Sequence, residues 1–276
     1  MNVSSVCRKV ELSRQNYYHR RSARQRQEVD VGLLKELVVA ERKWQPRIGT
    51  RKLHGMLRKT LHEAGIKIGR DRMFDVLAEL NLLVPALQSS TPRTTDSYHC
   101  LPVFTNRIKD LKLTKPNQVW VSDLTYIRTE MGFLYLALVT DKMSRKIVGY
   151  HCGDTLEAEG CIAALDKALA DLPAGIYPIH HSDRGTQYCC HAYVDRLKER
   201  GLSISMTETN HCAENALAER VNGILKCEYL LGTTFRSKES ARRAVQHAVQ
   251  CYNTRRPHTS LKMRIPADVH ELVIAE

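Results

Sequence analysis

VWVSDLTYIRTEMGFLYLALVTDKMSRKIVGYHCG, residues 119–153, decides the fold. Val, Ile, Tyr, Phe, Trp and Thr crowd three runs within it, VWVSDLTYI, FLYLALVT and KIVGYHCG, and the breaks TEMG and DKMSR carry turn-forming residues. Three β-rich runs joined by such short breaks predict an antiparallel meander. Working outward from it, LEAEGCIAALDKALADL (156–172) reads as a helix, IYPIHHS (176–182) as a strand and HAYVDRLKERG (191–201) as a helix. LSISMT (202–207) then reads as a strand and AENALAERVNGILKCEYL (213–230) as a helix. The order βββαβαβα predicts an α/β fold, a mixed five-stranded sheet flanked by helices. A last basic helix, SKESARRAVQHAVQCYN (237–253), leads into RRPHTSLKMRIP (255–266).

Three acids stand at telling places in that order. Asp123 lies inside the first strand, Asp183 ends the fourth in HHSDRGTQY, and Glu219 rides the helix that follows the fifth. If the first and fourth strands are neighbours, the two aspartates reach the same end of the sheet. On the helix, at 100° per residue, Asn215, Glu219, Asn222 and Lys226 share one face, opposite Leu217, Val221 and Ile224. Carboxylates gathered this way suit two divalent cations, Mg²⁺ or Mn²⁺, for in-line displacement at phosphorus. Lys226 is positioned for a phosphate, with a solvated lysine as the equal alternative. His181 reads as a contact to substrate or to the metal ligands, or as a structural histidine. The run of His180, His181, Ser182 and Asp183 is no hydrolase triad, because contiguous residues at a strand end cannot face one another and no GxSxG elbow is present.

The front of the chain differs in kind. The net charge of +12 over 276 residues is carried wholly by residues 1–118, which hold 23 Lys and Arg against 11 Asp and Glu; residues 119–276 hold 19 of each. A basic front joined to a neutral, acid-bearing back suggests a polyanion-binding region attached to a catalytic one. Ser13 predicts a short capped helix over 15–21, and Val31, Leu34, Leu37 and Val38 predict another over 29–44. A pair over 50–63 and from residue 70, joined by GIKIG, has the size of a helix-turn-helix at about 50–82, with Arg51 and Lys52 on the outer side of its first helix. Residues 85–118 hold four of the nine prolines and the cluster SSTPRTTDS without any sustained period, as a linker or arm would. The expected division is therefore a basic helical DNA-binding region (1–84), the linker (85–118), a catalytic core (119–232) and a basic C-terminal helix and tail (233–276).

Nine cysteines without a CxxC pair indicate neither a disulfide framework nor a zinc ribbon, and His211 and Cys212 lack partners at metal-site spacing. The longest apolar run, FLYLALV, is too short to span a bilayer, and no signal-peptide core is present, so a cytoplasmic protein without a membrane partner is expected.

At WVSDLTYI (120–127), HSDRGTQY (181–188), NALAERVNGILK (215–226) and YNTRRPHTSL (252–261) the chain resembles the transposases of bacterial insertion sequences whose catalytic core is of the retroviral-integrase, acidic-triad type, in particular the longer frame of two-frame elements. RIGTRKLHGMLR (47–58) resembles that family's upstream helix-turn-helix. The resemblance implies a ribonuclease-H-like core that cuts at element ends and joins the freed 3′ hydroxyl to a new phosphodiester, with no covalent enzyme intermediate. It implies Asp123, Asp183 and Glu219 as catalytic, metal-binding residues holding two Mg²⁺ or Mn²⁺ ions; from position and charge, Lys226, Asn222, His181, Arg51 and Lys52 are the candidate nucleic-acid contacts. It implies terminal inverted repeats and target DNA as partners, a homo-oligomer in the synaptic complex, an upstream-frame protein, and a nucleoid-associated setting. A structure-selective nuclease on the same core, or a non-catalytic DNA-binding derivative, are the alternatives.

Overall fold

The computed structural model describes residues 3–85, 101–208 and 214–272, so the SSTPRTTDS cluster, His211 and Cys212 lie outside the described residues. The chain forms two compact units, Met1–Pro85 and Ala86–Glu276.

The first unit is helical throughout: α1 (Val3–Lys9), α2 (Arg14–Arg42), α3 (Thr50–Glu63) and α4 (Arg70–Glu79). Ser13 caps α2 as expected, its hydroxyl accepting from the Asn16 amide at 3.1 Å. The two helices expected over 15–21 and 29–44 are, however, one continuous helix. No Pro or Gly interrupts residues 14–31, and once a helix is nucleated each further residue adds a hydrogen bond at little cost. Leu34 and Val38 of α2 meet Leu53, Leu57 and Leu61 of α3 and Met73, Val76 and Leu77 of α4 in one core. Gly65, at φ +77°, ends α3, and the Ile66 amide returns to the Leu61 carbonyl at 2.8 Å.

The second unit is built on β1 (Val119–Thr129), β2 (Gly132–Asp141), β3 (Ile147–Gly153), β4 (Ile179–Ser182) and β5 (Ser203–Met206), in the order β3-β2-β1-β4-β5. β1, β2 and β3 form the antiparallel meander; β4 lies parallel to β1 in the register Val121↔His181, and β5 parallel to β4. The period-2 alternation sends neighbouring residues to opposite faces. Trp120, Ala137 and Val139 pack under α5 (Ala158–Ala170), the short α6 (Thr186–Cys189) and α7 (His191–Glu199). On the other face, Ile127, Leu134, Leu136 and Leu138 pack under α8 (Ala216–Glu228) and α9 (Lys238–Thr254).

The C-terminal helix packs into the second unit. Ala241, Val245, Ala248, Val249 and Tyr252 of α9 share the core of α8 and the sheet, because every third or fourth position of that basic helix is apolar. Beyond it a 3₁₀ turn (Thr259–Leu261) and α10 (Pro266–Leu272) bring His270 back to the sheet, with Nδ1 at 2.9 Å from Ser144 Oγ; that hydroxyl donates to Asp141. The segment before β1 likewise belongs to the second unit, since Ile108 packs with Val119, Val121 and Ala218. Among the described residues no helix is long and apolar enough to cross a membrane.

Candidate active site

Parallel pairing of β1 with β4 brings Asp123 and Asp183 to the same end of the sheet from adjacent strands. Asp123 follows Val119 and Val121 on the face covered by α8, where Ala218 meets both valines. Its carboxyl is held twice: Oδ1 accepts the Leu124 amide at 2.9 Å, and Oδ2 accepts from Asn222 Nδ2 at 2.8 Å. Asp183 stands one residue beyond β4, and its Oδ1 accepts the Gly185 amide at 3.1 Å. A Cβ on Gly185 would stand 3.1 Å from that same oxygen, so a side chain there would crowd the carboxylate.

Glu219 comes from the first turn of α8 and is exposed. The N-cap residue Asn215 and two residues of α8, Asn222 and Lys226, tie the helix to β1. Asn215 Nδ2 donates to the Ser122 carbonyl at 3.1 Å, Asn222 to Asp123, and the Lys226 ammonium lies 4.6 Å from the centre of the Tyr126 ring. Asn215, Asn222 and Lys226, which sequence periodicity set on one face with Glu219, thus all reach β1.

The electrostatics mark the three acids as one field. Burial pushes the Asp123 carboxyl up to about 7, and repulsion from Asp183 adds to it, with a smaller contribution from Glu219; the Asn222 and Leu124 hydrogen bonds oppose the rise. Glu219 is also raised, by burial and by Asp183. Burial lowers the Lys226 ammonium while Asp123 partly restores it. Among the described residues, no three His, Cys, Asp or Glu side chains stand close enough together to hold a metal ion. The donor chemistry nevertheless fits a hard divalent cation: burial first, and repulsion from Asp183 and Glu219 after it, disfavour the charge on Asp123, and a cation between the carboxylates would offset both. The Asn222 Oδ1 is a further buried oxygen without a partner.

Two of the candidate nucleic-acid contacts are buried. His181 is fully buried, its Nδ1 2.9 Å from Ser205 Oγ, and burial first and Lys142 second lower it to about 4; its side chain points into the interior because β4 is covered on both faces. Asn222 is also buried and spends its amide on Asp123. Both hold protein groups in place. Lys226 is half-buried beside the acids, Arg51 is exposed and Lys52 partly exposed on α3.

Sequence reasoning missed the strap across the edge of the sheet. The Arg107 amide donates to Ser205 Oγ at 2.9 Å on the edge strand β5, and the Asn106 amide donates to Glu208 Oε1 at 3.0 Å. Glu214 Oε2 accepts the Asn106 side chain at 3.1 Å and the Glu208 amide at 2.6 Å, drawing together the two residues on either side of 209–213, just before α8. The only signal in the sequence was the aperiodic polar stretch TNRIKDLKL, which by itself specifies no partner. His180 is also structural: burial lowers it to about 3, and its Nε2 lies 2.8 Å from Ser122 Oγ and 2.9 Å from the Tyr193 hydroxyl.

Comparison with known proteins gives consistent matches. Two family models described as integrase core domain match residues 114–212 and 200–266. The insertion element IS600 uncharacterized 31 kDa protein of Shigella sonnei is 36% identical over 272 residues, covering 96% of this chain and 97% of that protein. The transposase for insertion sequence element IS629, also of Shigella sonnei, is 31% identical over 283 residues, covering 99% and 93%. Among solved structures, a chain of the simian T-cell lymphotropic virus intasome in complex with PP2A regulatory subunit B56 gamma aligns with a TM-score of 0.50 at 18% identity, over 81% of this chain and 74% of that one. At that identity the likeness is one of fold.

Proposed function

The chain belongs to the insertion-sequence transposases with an integrase core domain, and from that premise we propose that Asp123, Asp183 and Glu219 are its catalytic, metal-binding residues. Its activity is that of a DNA transposase, a polynucleotidyl transferase. The observation that supports the assignment is that parallel β1 and β4 carry Asp123 and Asp183 to the same end of the sheet, where the Asp123 carboxyl, raised mainly by burial, also feels both Asp183 and Glu219. When bound by these carboxylates, two Mg²⁺ or Mn²⁺ ions would supply an activated attacking oxygen and a stabilised leaving oxygen at the phosphodiester.

The protein's own groups prepare that chemistry. Asn222 holds one oxygen of Asp123 by a hydrogen bond and favours its ionised form. Gly185 leaves room for Asp183 and donates an amide to it. Lys226, next to Asp123, offers a cation to the DNA backbone. The first unit, with the helix-turn-helix of α3 and α4 and with Arg51 and Lys52 outward, would bind the DNA of the element ends; its basic excess supports that reading. The reading continues to target DNA as second substrate, to a homo-oligomer acting on paired ends with an upstream-frame protein, and to a cytoplasmic, nucleoid-associated setting.

A nicking and strand-joining assay on element-end DNA tests the assignment. Asp123→Asn, Asp183→Asn and Glu219→Gln are each expected to lower the rate on the order of 10³-fold or more while DNA binding persists or tightens. Activity surviving in all three would sink it, and cut products that are never joined would favour a nuclease.

A further inference from the structure

The terminal motif YNTRRPHTSL (252–261) takes no part in the site as described, yet its core is buried: Tyr252 is 0% exposed and Arg256 2%. At the end of α9 the chain folds back, with the Arg255 and Arg256 amides both donating to the Cys251 carbonyl at 3.0 Å. The turn sends the Arg256 guanidinium inward, 5.7 Å from the centre of the Tyr252 ring, whose hydroxyl lies 3.2 Å from His258 Nε2. Nε and Nη2 of Arg256 each donate to an oxygen of Glu228 at 2.8 Å, a bidentate fork on the last residue of α8.

We propose that Arg256 is a positioning residue for the transposase reaction: through Glu228 it fixes where α8 lies, and so where Glu219 presents its carboxylate. Glu219 and Glu228 are nine residues apart on one helix, about 13 Å along a stiff axis. Glu219 itself has no hydrogen-bonded side-chain tether among the described residues, so its position is that of the helix that bears it. The chemistry of the clamp argues for positioning over bulk stability. A buried ion pair is commonly matched or bettered in stability by apolar side chains of the same size. What an apolar plug cannot supply is the planar two-point fork, which sets both distance and angle between the partners.

The inference rests on the triad being the cation ligands, and the experiment separates the two ideas. Full-length protein carrying Arg256→Lys, which keeps the charge and loses the fork, or Glu228→Gln, which keeps the shape and loses the charge, is compared with wild type. Mn²⁺ affinity is measured by calorimetry, binding to element-end DNA in chelator, and strand joining across a Mg²⁺ titration. The expected result is about tenfold weaker Mn²⁺ binding, a matching rise in the Mg²⁺ needed for half-maximal joining, and unchanged DNA binding. Mn²⁺ affinity and Mg²⁺ requirement within twofold of wild type in both variants would overturn the clamp. Where either single variant does not melt cooperatively, the exchanged pair Arg256→Glu with Glu228→Arg is put to the same titrations, and wild-type cation affinity despite the altered fork counts against the proposal. Glu219→Gln runs alongside: if it keeps wild-type Mn²⁺ affinity and activity, the triad assignment has failed, and the clamp inference with it.

Discussion

Asp123 and Asp183 are held by a sheet; Glu219 is held by a helix that other side chains hold. The aspartates stand on or beside adjacent parallel strands in the middle of five, and the backbone ladder fixes the strands that bear them. Glu219 stands on α8, which reaches β1 through the Asn215 and Asn222 amides, a lysine on a tyrosine ring and the apolar packing of Ala218, Val221, Ile224 and Leu225, with the Arg256 fork at its far end. The strand half of the site is therefore set by main-chain geometry and the helix half by individual side chains. Substitutions that spare the fold should disturb the second half far more readily than the first.

The largest effect that should leave the chemistry alone is in the opposite face of the sheet. Leu165 of α5 is fully buried there, and Leu165→Ala should cost about 2–5 kcal/mol of stability by thermal or urea unfolding. The Mg²⁺ requirement of the folded fraction should stay at the wild-type value; a shift in that requirement would mean the aspartates depend on packing as much as α8 does. Asn222→Ala is expected to do the reverse, with a small change in melting temperature and a loss of about 10–100-fold in joining rate or cation affinity. Because the Asn222 amide favours ionised Asp123, its loss should move the acidic limb of the pH–rate profile upward relative to wild type. A limb that stays in place would detach Asn222 from the site.

The smallest effect sharpens the electrostatic side. In the absence of divalent cation, folded Asp123 keeps its proton to about 7, whereas in the unfolded chain it is released near its ordinary 3.8. Between those values the folded state binds more protons, so this group makes stability fall as pH rises through the window. Asp123→Asn removes that loss. Allowing for solvent screening of a partly exposed group, it should stabilise the chelated protein by roughly 1–2 kcal/mol at pH 8 and by almost nothing at pH 4. Equal melting shifts at the two pH values would contradict the raised, buried Asp123 carboxyl.

Much of the fold was legible because local chemistry repeats. β-branched and aromatic runs with Gly or Asp between them gave β1 to β3 to within a few residues, and the α3 boundaries followed from the apolar spacing and Gly65. The failures have physical causes. Nothing in residues 14–31 signals where a helix should end, and nothing did end it. His181 looked available because a sequence does not say which strands lie inside a sheet; between β1 and β5, β4 is covered on both faces and its histidines are interior. Arg256 and Arg255 are indistinguishable in RRPHTSL, and only the fold-back at Cys251 turns Arg256 to Glu228.

By itself the sequence determined the candidate residues and the elements that carry them: one aspartate inside a strand and one just past another, a glutamate on a helix face with Asn215, Asn222 and Lys226, and a basic helical front. Those follow from short-range periodicity and charge, which are properties of neighbours along the chain. Tertiary structure alone decided the long-range pairs around the site: the Asn222 amide on Asp123, the Asn106 strap on Glu214 and the Arg256 fork on Glu228. These pairs are separated by 28 to 108 residues, and a side chain cannot name a partner at that distance until burial has removed the water that would otherwise serve either one.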